Sequence, residues 1–204
     1  MSPISLRRSL TAAASLAALT TLSGCISFGE KPPAQLLGLT SDAKVPVGTT
    51  KASRDVDAVS VAIPMTPGAL RNQRVAVLSG ADFAYLPKAV WVDVPARLFR
   101  DVVAETIEAK TSKFVPDARN AAITPNTRLA GTLSAFELLG GQGKVLVIYD
   151  ATLAKAGSDV VRTRRFEATS PVSSEEPASV TAALNRAANA VASDVAAWVS
   201  NPAG

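Results

Sequence analysis

Near the carboxyl end, Val180, Leu184, Ala187, Val191, Val195 and Trp198 follow one another at steps of 4, 3, 4, 4 and 3. That spacing makes one continuous apolar stripe along about five helical turns. A helix with such a stripe cannot bury it alone, so the rest of the chain must supply a surface for it. The many alanines between the stripe residues let the helix lie close against a sheet. Ser173 or Ser174 is the expected cap, Glu175 and Glu176 favour the positive helix start, and Pro202 ends the element.

The surface is expected from strands immediately upstream. Thr127–Leu138 reads as a strand with Leu129, Gly131, Leu133 and Ala135 on one face. Lys144–Leu153 alternates through Val145, Val147, Tyr149 and Ala151, and Val160–Ala168 follows a turn at residues 156–159. Short Gly-containing connections make these three an antiparallel meander. Upstream, Val59, Val61 and Ile63 alternate in a first core strand, and Arg74–Leu78 makes a second. Asp82–Leu86 is a short aromatic strand closed by Pro87. A second helix is predicted over residues 94–110, capped by Asp93, with Leu98, Val102, Val103 and Ile107 at helical spacing and Phe99 widening the stripe. The expected fold class is therefore α/β (α+β): a single sheet of mixed or mostly antiparallel strands packed by two main helices.

The amino-terminal segment stands apart. Arg7 and Arg8 precede an apolar, small-residue run from Leu10 to Leu22, which closes on Leu22-Ser23-Gly24-Cys25. A charged start, a short apolar centre and small residues before the cleavage point are the layout of a secretory signal. A Leu three residues before a Cys adds the lipoprotein form, in which cleavage precedes Cys25 and the thiol is lipidated. The alternatives are a buried free cysteine and a membrane span. The run is too short and too rich in Ala, Ser and Thr for the roughly 20 apolar residues a span needs. The expected organisation is a signal peptide over 1–24, then lipidated Cys25 and a tether over 25–55, then a folded domain over 56–204. Within the tether, Gln35–Leu39 could form a short strand, and residues 40–54 read as an exposed, mobile loop.

Removing residues 1–24 leaves 19 Lys and Arg against 17 Asp and Glu, so the mature charge of +2 gives no case for nucleic acid. Cys25 is the only cysteine and histidine is absent, which excludes zinc sites built from Cys and His and removes the commonest general base. Gly140-Gly141-Gln142-Gly143 lacks the Gly-Lys-Ser/Thr ending of a phosphate loop and reads as a strand connection. Asp101, Glu105 and Glu108 read as a solvated helix face rather than an acid/base pair. No catalytic residue, metal site or cofactor is assigned. Tyr85, Leu86 and Trp91 are candidate partner contacts, because large aromatics near loops often anchor interfaces; packing at a sheet–helix junction is the competing explanation. Arg162 and Arg164 share a strand face and form a candidate basic patch for lipid headgroups or a partner, against their ordinary use as protection of a sheet edge.

Residues 57–110 carry a family resemblance. The run Val59-Ser60-Val61-Ala62-Ile63-Pro64, Leu70, the strand Arg74–Leu78, Phe83-Ala84-Tyr85-Leu86, Ala89-Val90-Trp91 and Pro95-Ala96-Arg97-Leu98 resembles the ABC-type transport auxiliary lipoproteins, with their PqiC-like members. The resemblance extends over essentially the whole mature chain and contains no catalytic signature. It implies a non-enzymatic periplasmic domain that works with an MCE-type lipid transport system. Its implied partners are an MCE-domain periplasmic protein and the associated permease and ATPase. The amino-terminal lipid would attach the protein to the membrane. Ile26 after the lipidated cysteine, rather than Asp, looks like outer-membrane delivery. Self-association is left open, and so is the alternative of a structural or assembly lipoprotein that binds envelope proteins without a part in lipid traffic.

Overall fold

A computed structural model describes residues 35–51, 57–116 and 124–202. The signal peptide, Cys25 and the first part of the tether lie outside the described residues.

The long strand β4 (Thr127–Leu139) organises the sheet. Along one edge it pairs antiparallel with β5 (Lys144–Lys155), which pairs antiparallel with β6 (Val161–Pro171), so the meander expected from the sequence is present. Its other edge is shared by two shorter strands in turn. β1 (Val59–Val61) runs parallel to its first residues, with Val59 opposite Thr127, and a single bridge from Met65 to Thr132 continues that line. β2 (Arg74–Ser79) then takes over, parallel again, with Ala76 opposite Glu137. β3 (Asp82–Val90) hairpins back on β2 as the edge strand. The order is β3-β2-β4-β5-β6 with β1 beside β4, a mixed sheet.

α1 (Pro95–Lys110) and α2 (Pro177–Ser200) pack on one face of this sheet. Phe99 of α1 meets Tyr149 of β5 edge-on, with ring centroids 5.2 Å apart, and Phe166 of β6 meets Trp198 of α2 in the same way at 5.6 Å. All six α2 stripe residues read from the sequence are buried. Tyr149 crosses the sheet because residue 131 is glycine: a Cβ there would lie 2.8 Å from the Tyr149 ring and 2.2 Å from the Asp150 carbonyl oxygen. The phenol donates to the Ala130 carbonyl at 3.0 Å, and burial pushes its pKa up.

Four local expectations are corrected. Ala135 does not share a face with Leu133, because a bulge at Ser134 shifts the register: Leu133 opposes Tyr149 and Ala135 opposes Ile148. Beyond the bulge, Phe136 and Leu138 take the core positions. β3 does not stop at Pro87, since an edge strand needs no N–H there; instead it bulges against β2 between Tyr85 and Val90, with Lys88 in the left-handed region at φ 59°. Neither Asp93 nor Ser173/Ser174 caps a helix. α1 starts on Pro95, with Asp93 Oδ1 accepting only the Val94 N–H at 2.7 Å, whereas Ser179 Oγ accepts the Ser173 and Ser174 N–H groups. Residues 37–51 are neither a strand followed by a loose loop nor detached from the domain. Leu37 makes one parallel bridge to Trp91, and the chain then runs past both helices with hydrogen bonds to each. Asn189 on α2 holds this strap from both sides, accepting the Asp42 N–H and donating to the Thr40 carbonyl, each at 2.8 Å. Ser41 meets Thr106 of α1 at 3.0 Å, and Lys44 pairs with Glu105.

Candidate interaction surfaces

The residues singled out in the sequence fall at opposite edges of the sheet. Tyr85, Leu86 and Trp91 belong to the β3 edge, and Arg162 and Arg164 to β6; four interstrand steps, about 19 Å, separate the two. They do not form one surface.

At the β3 edge, Trp91 is fully buried against Phe136, with centroids 5.7 Å apart, so it offers no surface to a partner in this conformation. Its ring is part of the hydrophobic core, as the packing explanation had it. Leu86 is half-buried against the core. Tyr85 is half-buried and its hydroxyl is engaged, donating to the Ala69 carbonyl at 3.2 Å and accepting from Asn72 Nδ2 at 2.8 Å. The Arg74 guanidinium stacks over its ring at 4.3 Å. At the β6 edge, residues 161–165 are all exposed. The Arg164 guanidinium lies 5.3 Å from the Phe166 ring centroid, beside an open depression of about 500 Å³ lined by Phe166, Asp194 and Trp198. β6 pairs with β5 in an unbroken register of eleven residues, and its own outer edge carries no strand among the described residues.

Besides Glu167 on β6, the sheet face away from the helices holds the carboxylates of Asp150 and Glu137, which the sequence reading passed over. Asp150 accepts both Arg165 Nε, at 2.6 Å, and a second guanidinium nitrogen, at 3.1 Å, while Ser134, facing outward next to Leu133, donates to the same oxygen as the second nitrogen. The hydrogen bond from Arg165 is the main cause that holds the Asp150 pKa below the ordinary carboxylate value. Glu137 is only 4% exposed. It sits between Ala76 and Leu146 in register, and among the described residues no cation pairs with it. Burial pushes its pKa up, against a smaller opposing effect of a backbone hydrogen bond at Phe136. The register places the two acids about 13 Å apart along the strands, too far to share a proton or a water as an acid/base pair. A charged residue inside the run Ala135-Phe136-Glu137-Leu138-Leu139 was the available signal for Glu137.

Among the described residues no group of three or more His, Cys, Asp or Glu side chains is placed to hold a metal ion, and no helix is long and apolar enough to cross a membrane. No functionally curated protein matches the chain. Solved structures share its fold, two of them over four-fifths of the chain. The protein XCC0632 from Xanthomonas campestris, of family DUF330, is 20% identical, with a TM-score of 0.65 over 81% of this chain and 94% of that one. An uncharacterized protein is 12% identical, with a TM-score of 0.62 over 81% of this chain and all of the other. The family described as ABC-type transport auxiliary lipoprotein component matches residues 39–196, from the strap to the last turns of α2. This match takes in every strand and nearly all of both helices, and the chain belongs to that family of envelope-associated auxiliary components of ABC-type transport.

Proposed function

We propose that the protein is a non-catalytic docking component of an MCE-type ABC transporter for phospholipid or other apolar cargo, anchored by lipid on Cys25 to the periplasmic face of the outer membrane. The family match over residues 39–196 carries this reading. The Leu22-Ser23-Gly24-Cys25 sequence supports the anchor, with 1–24 as the cleaved signal, and Ile26 supports the outer membrane as its address. Partner contact is assigned to the exposed β6 edge around Arg162 and Arg164, with Tyr85 and Leu86 as a secondary contact. The partners are an MCE-domain periplasmic protein and its permease and ATPase, which supply the energy that this chain has no motif to provide.

Affinity capture from detergent-solubilised envelopes tests the assignment. The wild-type chain is expected to bring down an MCE-domain protein or its ATPase, and the double change Arg162→Glu/Arg164→Glu to lose it. Recovery of neither partner under gentle conditions, together with unaltered outer-membrane lipid asymmetry in a deletion strain, would favour a purely structural lipoprotein. Cys25→Ala is expected to release a folded domain from membranes; firm retention after salt washing would remove the anchor.

A further inference from the structure

Leu37 fastens the chain to the domain at the β3 edge. Its N–H donates to the Val90 carbonyl at 2.8 Å, and its carbonyl accepts the Val92 N–H at 2.7 Å. Because this bridge is parallel, Leu36 and Gln35 run back beside Val90 and Ala89, toward the bulge at Lys88. Trp91 faces the core, and Leu37 packs against it. Alternation therefore turns Leu36, Val90 and Val92 to the other side. Leu36 is 56% and Val92 52% exposed, two large apolar side chains left in water on one side of the bridge at the place where the chain departs. Arg74 lies directly opposite Val90 on that same side. Lys88 is exposed in the bulge, in a backbone conformation that L-residues other than Gly, Asn and Asp seldom adopt. Exposed apolar side chains with two cations, Arg74 and Lys88, beside them form the pattern of a surface that rests at a bilayer interface.

We propose that this corner, formed by Leu36, Val90 and Val92 with Arg74 and Lys88, sits in the anionic headgroup layer of the membrane that holds the lipid on Cys25. The proposal rests on the anchor reading above and adds the orientation of the domain. Chain length supports it. The ten-residue step from Cys25 to Gln35 spans at most about 35 Å, whereas a compact domain of about 170 residues is about 40 Å across. The point of the domain opposite Gln35 is thus beyond the reach of the tether, and the corner where the chain leaves stays within about 35 Å of the bilayer. The same orientation points the β6 edge away from the lipid, toward protein partners, and sets the secondary contact at Tyr85, whose ring Arg74 covers, beside the headgroups.

The test uses the lipidated full-length protein in vesicles of phosphatidylethanolamine and phosphatidylglycerol with brominated acyl chains. A lipidated Cys25 is a thioether and does not react, so Val92→Cys and, separately, Val161→Cys on the equally exposed β6 edge each take one fluorescent label. Bromine is expected to quench the label at 92 several-fold more than the label at 161. In the Val92→Cys protein, adding Arg74→Glu and Lys88→Glu is expected to reduce that quenching at low salt. Equal quenching at both positions, or none at 92, overturns the surface. A label at 92 that shifts only when the transporter is added, and not with vesicles alone, overturns it in favour of a protein contact. A second reactive thiol in the membrane-purified protein shows Cys25 unmodified; that result overturns the anchor reading and this orientation with it, whereas a blocked Cys25 with an unquenched label at 92 overturns the orientation alone.

Discussion

The two faces of the sheet solve the same problem with different chemistry. Toward the helices, the β5 residues Val145, Val147, Tyr149, Ala151 and Leu153 are all buried, and T-shaped aromatic contacts tie each helix to a strand. Away from them, alternate β5 residues Leu146, Ile148 and Asp150 are only half-buried, and charged groups settle among them in contrasting ways. Asp150 keeps its charge through Arg165 and Ser134, whereas Glu137 loses its hydration without gaining a cation. The covered face therefore carries most of the stability, and the open face carries the pH response.

The covered face should break first. Leu184, 0% exposed in the middle of the α2 stripe, has no room to hydrate a carboxylate. Leu184→Asp is expected to abolish cooperative folding, since an unpaired buried charge costs more than a domain's net stability of about 5–15 kcal/mol can absorb along with the lost packing. An unchanged melting temperature would mean that the stripe is not the core. Phe99→Ala removes the ring that meets Tyr149 edge-on and should cost about 3–5 kcal/mol, read as a lower urea midpoint with native-like circular dichroism.

Periodicity made the covered face legible. The α2 stripe, the β5 alternation and the meander follow from spacing alone, because each uses a single unbroken period. The open face was less legible for a local reason: the bulge at Ser134 reverses the face of every β4 residue after it, and nothing in the letters Leu-Ser-Ala-Phe announces the slip. The same slip places Ala135 and Glu137 on the open side, so the strand reading that grouped Ala135 with Leu133 had no reason to notice Glu137. Trp91 was visible as a large aromatic near a loop, but only tertiary context could tell that Phe136 covers it. The strap was hidden because residues 40–51 carry loop composition. What fixes them is donated and accepted by Asn189 on α2, a polar residue that lies outside the six-residue stripe and so drew no notice.

Glu137 sharpens the comparison through pH. Its folded pKa is raised above the ordinary value of 4.5, so between the unfolded and the folded value the native state binds more protons than the unfolded chain. The favourable contribution is complete below the unfolded pKa and is lost as pH rises through the folded one. Glu137→Gln is therefore expected to raise stability at neutral pH, on the order of 1 kcal/mol, and to leave it nearly unchanged below pH of about 4. Urea titrations across this range check it; a loss of stability at neutral pH would mean that the carboxylate is paired.

Asp150 should give the smallest effect and the opposite slope. Its folded pKa lies below the ordinary value of 3.8, so its contribution is present above that value and fades as pH falls through the folded one. Arg165→Ala removes the largest cause of the shift. Because the Arg165 and Asp150 side chains are 64% and 34% exposed, solvent screens the pair, and the loss of stability at neutral pH should be the smallest of those predicted. The carboxyl titration of Asp150, followed by NMR, should move upward in the variant but stop short of further rise from desolvation, since Ser134 still donates to it. In wild type, added salt should shift the same titration in the same direction, while leaving that of Glu137 nearly in place, because burial rather than a charge partner sets the latter. If salt moved both acids equally, the two sites would share one electrostatic environment, and the division of labour across the open face would fall.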